Sequence, residues 1–129
     1  MGSMFRYVRG DAQPVYLPAL ADDVVEIGDL MWWDSTNGAV RPAAQVDGTT
    51  YADKKANLAA AFVGVALTAK PADKAGSVLV ATGGDFLFAA PTGTAYTVGD
   101  GVAGGNGTSM VNQTVVKDTT DTNWIAKVI

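Results

Sequence analysis

Turn-forming residues interrupt this chain about every ten residues, and the runs between them are short and rich in β-branched and aromatic side chains. Val24 to Asp34 is the first such run, broken by Gly28-Asp29. Ser35-Thr36-Asn37-Gly38 follows, and Asn-Gly is the strongest short hairpin signal because both residues tolerate positive φ. Val40 to Val46 is the expected return strand, with Pro42 placing it near an edge. Further strands are expected over Phe62 to Thr68, Ser77 to Ala81, Asp85 to Ala89, Tyr96 to Val102, Ser109 to Lys117 and Asn123 to Ile129. Gly104-Gly105-Asn106-Gly107 reads as a mobile turn. Only Asp53 to Phe62, with its alanines, has the composition of a helix.

This pattern predicts an all-β chain, a small β-barrel or sandwich carrying one short helix. The fifteen glycines fit tight bends in such a fold, since 48% of the residues are hydrophobic. Residues 1–22 read as an extended N-terminal arm, because Pro14 and Pro18 remove backbone donors and disfavour helix before them. The expected division is therefore an arm over 1–22 and a single barrel or sandwich domain over 23–129.

What is missing narrows the chemistry. There is no cysteine and no histidine, which removes thiolate nucleophiles, Ser-His-Asp arrangements and the usual zinc ligands. Glu26 is the sole glutamate, so a hydrolase built on two facing carboxylates has little to draw on. The expectation is a protein that is not an enzyme, with no cofactor, metal or small-molecule substrate. Nine basic residues are scattered along a chain of net charge −4, which argues against a nucleic-acid partner. No apolar run approaches the roughly 18 residues of a membrane span.

Several motifs invite sharper readings. Gly99-Asp100-Gly101-Val102-Ala103-Gly104 spells a dinucleotide fingerprint, but that site needs a helix to open within the motif, and Gly105-Asn106-Gly107 follows. Asp22, Asp23, Glu26 and Asp29 cluster without the spacing of a calcium loop, so solvated carboxylates are expected. Arg9-Gly10-Asp11 is a tripeptide that recurs by chance. Lys54 and Lys55 are expected to solvate the exposed face of the helix. An internal echo stands out more. Ile27-Gly28-Asp29-Leu30-Met31 is matched by Val98-Gly99-Asp100-Gly101-Val102, and each is followed by a closing strand, Phe62 to Leu67 and Trp124 to Ile129. Each Gly-Asp is read as a turn or bulge leading into a strand.

Trp32-Trp33 is the most informative aromatic pair. Neighbours in a strand face opposite sides, so one is expected in the core while the other either anchors an interface, where Trp is enriched, or is buried as well beneath a covering arm.

The chain runs through a set of short pieces in order: Val25-Glu26-Ile27-Gly28-Asp29-Leu30, Trp33-Asp34, Arg41-Pro42-Ala43, the Ala-rich helix running into Phe62-Val63-Gly64-Val65-Ala66-Leu67, Val78 to Phe86, Tyr96 to Asp100 and Asn112 to Val116. In this order they resemble a family of small tailed-phage head proteins that decorate and cement the capsid. The resemblance implies a β-barrel or sandwich on the outer surface of the virion, often trimeric, whose partner is the major capsid protein. Where such proteins often carry a glycine in the last strand, this chain has Ala126. On this reading Phe5, Arg6, Tyr7, Arg9 and Tyr16 of the arm are expected to clamp the shell or a neighbouring protomer. Trp32, Trp33 and Phe86 are expected at protomer contacts. The competing expectation is a receptor- or glycan-binding domain of a phage fibre or tail, with exposed aromatics on loops.

Overall fold

The computed structural model describes residues 6–9, 13–88, 90, 93–106 and 110–129. Five strands close a small barrel: β2 (Pro14–Ala19), β3 (Leu30–Asp34), β4 (Ala39–Pro42), β5 (Phe62–Ala66) and β6 (Gly76–Ala81), in the order β2-β4-β3-β5-β6. The strand before them, β1 (Arg6–Arg9), lies outside the barrel. Of the two architectures left open by the sequence, the fold is the barrel.

The β3–β4 hairpin forms where Asn37-Gly38 predicts it. Gly38 has φ +63°, and Asp34 organises the turn by accepting from the backbone N–H of Thr36 at 3.0 Å and from the Asn37 side chain at 2.7 Å. The return strand is shorter than expected and stops at Pro42, after which Ala43–Gln45 is a 3-10 turn. Pro42 has no N–H to continue the ladder; its carbonyl instead accepts from the Trp32 indole at 3.0 Å. Closure between β5 and β6 depends on Gly64, because a Cβ there would lie 1.9 Å from the Ala81 carbonyl oxygen. Met31, Val40, Ala66, Val78 and Val80, with Ala19 and Val25, fill the interior.

The boundary expected at residue 22 does not coincide with a structural one. β2 is antiparallel to β6 over six consecutive pairs, Pro14↔Ala81 to Ala19↔Gly76, and meets β4 through the parallel bridge Ala19↔Val40. Its prolines do not prevent this, because Pro14 and Pro18 share one parity of the strand and the intervening N–H groups remain free to pair. Among the described residues of the expected arm, those of β1 lie outside the barrel. There β1 pairs antiparallel with β7 (Asp85–Leu87), with Tyr7 opposite Phe86.

Helix α1 (Tyr51–Ala61) begins two residues earlier than its composition suggests because Thr50 caps it, accepting from the Asp53 N–H at 3.2 Å. Leu58 drives the packing. It is fully buried with Leu30, Trp32, Ala43, Val46 and Val65 on the outer wall of the barrel.

A second sheet of three strands follows: β8 (Gly101–Asn106), β9 (Met110–Lys117) and β10 (Ala126–Lys127), in the order β10-β8-β9. Three expectations are corrected here. Gly104 to Asn106 belong to β8 rather than to a mobile turn, since glycine lets this strand come close to its neighbours: a Cβ on Gly105 would meet Thr114 at 2.8 Å, and one on Gly101 would enter the Trp124 ring. The run Tyr96 to Val102 is not one strand, because residues 97–100 form a turn and β8 starts only at Gly101. The last strand is reduced to Ala126–Lys127, preceded by a 3-10 turn at Asp121–Asn123.

The internal echo is a structural repeat. Gly28 and Gly99 have φ +99° and +96°, the conformation that the third position of a type II turn requires. In each turn the aspartate N–H donates back to the residue three before it, Asp29 to Glu26 at 3.1 Å and Asp100 to Thr97 at 3.0 Å. Each aspartate side chain then accepts from the N–H of that same residue, at 2.9 Å and 2.8 Å. Each glycine N–H donates at 2.8 Å to the closing strand, Gly28 to Ala66 and Gly99 to Val128. The registers agree as well: Leu30↔Val65 and Met31↔Gly64 in the first unit correspond to Gly101↔Lys127 and Val102↔Ala126 in the second. Both units order their strands as closing, first, second. They differ in the connection to the closing strand, which carries α1 in the first unit and the 3-10 turn Asp121–Asn123 in the second.

Candidate interaction surface

The two tryptophans divide between core and surface. Trp32 is 4% exposed and lies under α1, so the protomer contact expected of it is corrected to a core role. Trp33, on the other face of β3, is 38% exposed. Tyr16 is 69% exposed on β2, opposite Leu79 of β6. It is a barrel residue rather than part of a free arm. Phe86 is half-buried on β7 and packs against Phe88, with ring centroids 6.4 Å apart. Arg6, Tyr7 and Arg9 lie on β1, which the register brings alongside Phe86, and Phe5 falls outside the described residues. The fold therefore gathers the β1 positions and Phe86 at one ribbon. Tyr16 and Trp33 sit on separate barrel strands.

Between the barrel wall, β7 and β10 lies an apolar cavity of about 600 Å³, walled by Leu30, Phe62, Val65, Phe86, Val115 and Ile125. Among the described residues the Tyr96 hydroxyl is buried without a hydrogen-bond partner, and Tyr96 lines the same space. Asp85 is the one carboxylate side chain among the described lining residues.

Several charged groups are engaged within the fold. Arg41 holds Asp23 at 2.8 Å and reaches Asp34 at 3.5 Å. Hydrogen bonds from Asn37, above all its side chain, hold the Asp34 carboxyl below its usual range. Asp29 is buried, and burial raises its pKa even though it accepts from Glu26 N–H and from the Gln113 side chain at 2.8 Å. Of the four calcium candidates, Asp23 turns to Arg41 and Asp29 to Glu26 N–H and Gln113, while Asp22 and Glu26 are exposed. Among the described residues no three such groups converge on a metal position.

Lys55 does more than solvate its helix, because its ammonium meets Asp118 at 2.5 Å. Burial acts to raise the Asp118 pKa, but Lys55, the Thr120 N–H and the Asn123 amide outweigh it and the net shift is downward. Lys70 is buried and donates to the Pro71 and Lys74 carbonyls at 2.9 and 2.8 Å, tying down the loop between β5 and β6. Gly99 to Gly104 form a turn and a strand, with no helix opening at the motif, so the dinucleotide reading has no structural basis.

The tips of the two repeated turns carry exposed apolar side chains that the sequence reading did not single out. Ile27 is 53% exposed and Val98 75% exposed, at the same position of each turn. The Gly-Asp echo was the available signal, had its preceding residue been read for exposure as well as for turn type. Comparison with protein-family models, with curated proteins and with solved structures finds no match for this chain.

Proposed function

We propose that this protein is a cement protein on the outer surface of a tailed-phage capsid, where it assembles as trimers and bridges neighbouring copies of the major capsid protein. The observation that carries the reading is the ordered set of family-like pieces, which fall on successive parts of the fold. Val25 to Leu30 leads into β3, Arg41-Pro42 closes its hairpin, Phe62 to Leu67 covers β5, and Val78 to Phe86 spans β6 and the start of β7. Tyr96 to Asp100 makes the second Gly-Asp turn, and Asn112 to Val116 lies in β9. Exposed Tyr16 and Trp33 are further support, since aromatic side chains are enriched at interface hot spots.

The mechanism is binding energy alone. A protein that binds the assembled shell and not its free subunits stabilises the shell by mass action. β1 is the proposed clamp: it lies outside the barrel beside the three-residue strand β7, and an extended segment can add to a sheet edge of a partner. The test is add-back. Shells purified without the protein are incubated with it and heated, and the temperature at which they release DNA is recorded. The proposal expects a rise that saturates with added protein; no rise at any concentration overturns it.

A further inference from the structure

We propose that the two Gly-Asp turns, Glu26–Asp29 and Thr97–Asp100, are equivalent docking tips, each seating one β-branched side chain in a shallow apolar notch on one copy of a repeated partner subunit. The inference rests on the shell-binding reading and adds to it which part of the surface makes contact and why two neighbouring subunits are engaged.

The turns themselves do not require apolar residues at these positions. A type II turn is fixed by the residue with positive φ at its third position, here Gly28 and Gly99, and both turns are tied again by their aspartates. The second position, Ile27 or Val98, makes no demand on the turn beyond ordinary φ, and in both units it carries a large apolar side chain into solvent. A single exposed apolar residue is unremarkable, whereas grouping is informative. Of the eight large apolar side chains exposed among the described residues, Val24, Ile27, Val98 and Ile129 lie in or beside these turns. Ile129 follows Val128, whose carbonyl accepts from Gly99.

Repetition identifies the kind of partner. Two copies of one hydrogen-bonded device, each with an apolar tip, suit a surface that offers the same notch twice, as neighbouring copies of one subunit do. Charge adds direction at the first tip: exposed Asp22 and Glu26 flank Ile27, while Asp23 and Asp29 are already engaged by Arg41 and Gln113. The notch that receives it is therefore apolar with a basic rim.

The experiment measures equilibrium binding of the full chain, labelled, to shells that lack it. It compares wild type with Ile27→Asp, Val98→Asp and the double variant, with thermal unfolding of each free protein as the control for folding. Ile27→Thr and Val98→Thr, which keep the branched shape and lose the apolar surface, serve where an aspartate variant unfolds. The expected result is a loss of affinity of roughly tenfold or more for each single variant and a compounded loss for the double, with unfolding midpoints unchanged. Wild-type affinity in the double variant overturns the tips while leaving shell binding intact. A loss from one turn and none from the other overturns their equivalence. Failure of the wild type itself to bind overturns the shell-binding reading and the tips together.

Discussion

Gly64 and Gly76 sit on neighbouring barrel strands and meet opposite surroundings. An added Cβ at Gly64 would enter the Ala81 carbonyl, whereas one at Gly76 meets nothing within 4 Å. Gly64→Ala is expected to cost more than about 2 kcal/mol, the range in which overpacking breaks a core, and Gly76→Ala to stay within about 0.5 kcal/mol. Urea unfolding of the two variants checks this. A second residue-scale test concerns Lys55 and Asp118. Asp118 has a depressed pKa in the fold, so the pair stabilises the protein above the unfolded carboxylate pKa, and that contribution is lost as pH falls through the lower folded value. Lys55→Met should cost about 1–2 kcal/mol near neutrality, and the gap to wild type should close as the pH is lowered into that acid range. A gap independent of pH would contradict the assignment.

At the scale of elements, β2 decides what an N-terminal deletion does. Removing residues 1–12 takes away β1 and leaves the barrel whole; removing residues 1–20 also takes β2 and its six pairs with β6. The shorter deletion should keep a cooperative unfolding transition close to that of wild type, and the longer one should abolish it, as read by circular dichroism during heating. The two Gly-Asp turns give a matched pair. Asp100→Ala should lower the unfolding midpoint only slightly, and Asp29→Ala should cost more, about 2 kcal/mol, because Asp29 is buried and also holds the Gln113 amide at 2.8 Å. Much of this level was legible in the chain. Asn37-Gly38 placed the first hairpin, the alanine run placed α1, and the Gly-Asp echo pointed to a repeat whose hydrogen bonds match. What the chain concealed has physical causes. Pro14 and Pro18 look incompatible with a barrel strand until their shared parity is known. Gly104-Gly105 looks like a turn until Thr114 is seen to demand bare backbone beside Gly105.

At the scale of the whole molecule, a closed barrel and a three-stranded sheet built on the same turn share the apolar layer around Leu30, Phe62, Val65, Val115 and Ile125. The candidate contacts were only partly readable from sequence, because exposure depends on what packs where. Trp32 and Trp33 are neighbours in the chain, yet α1 covers one and leaves the other. Tyr16 was assigned to an arm and proves to be a barrel residue. Ile27 and Val98 drew no attention until the repeat placed them at equivalent tips. If the protein cements a shell, it must be present across the whole of that shell. Quantitative peptide mass spectrometry on gradient-purified particles, reporting copies per major shell subunit, measures this directly. The proposal predicts a ratio near one or a simple fraction of it, and a handful of copies per particle, or none, would contradict it.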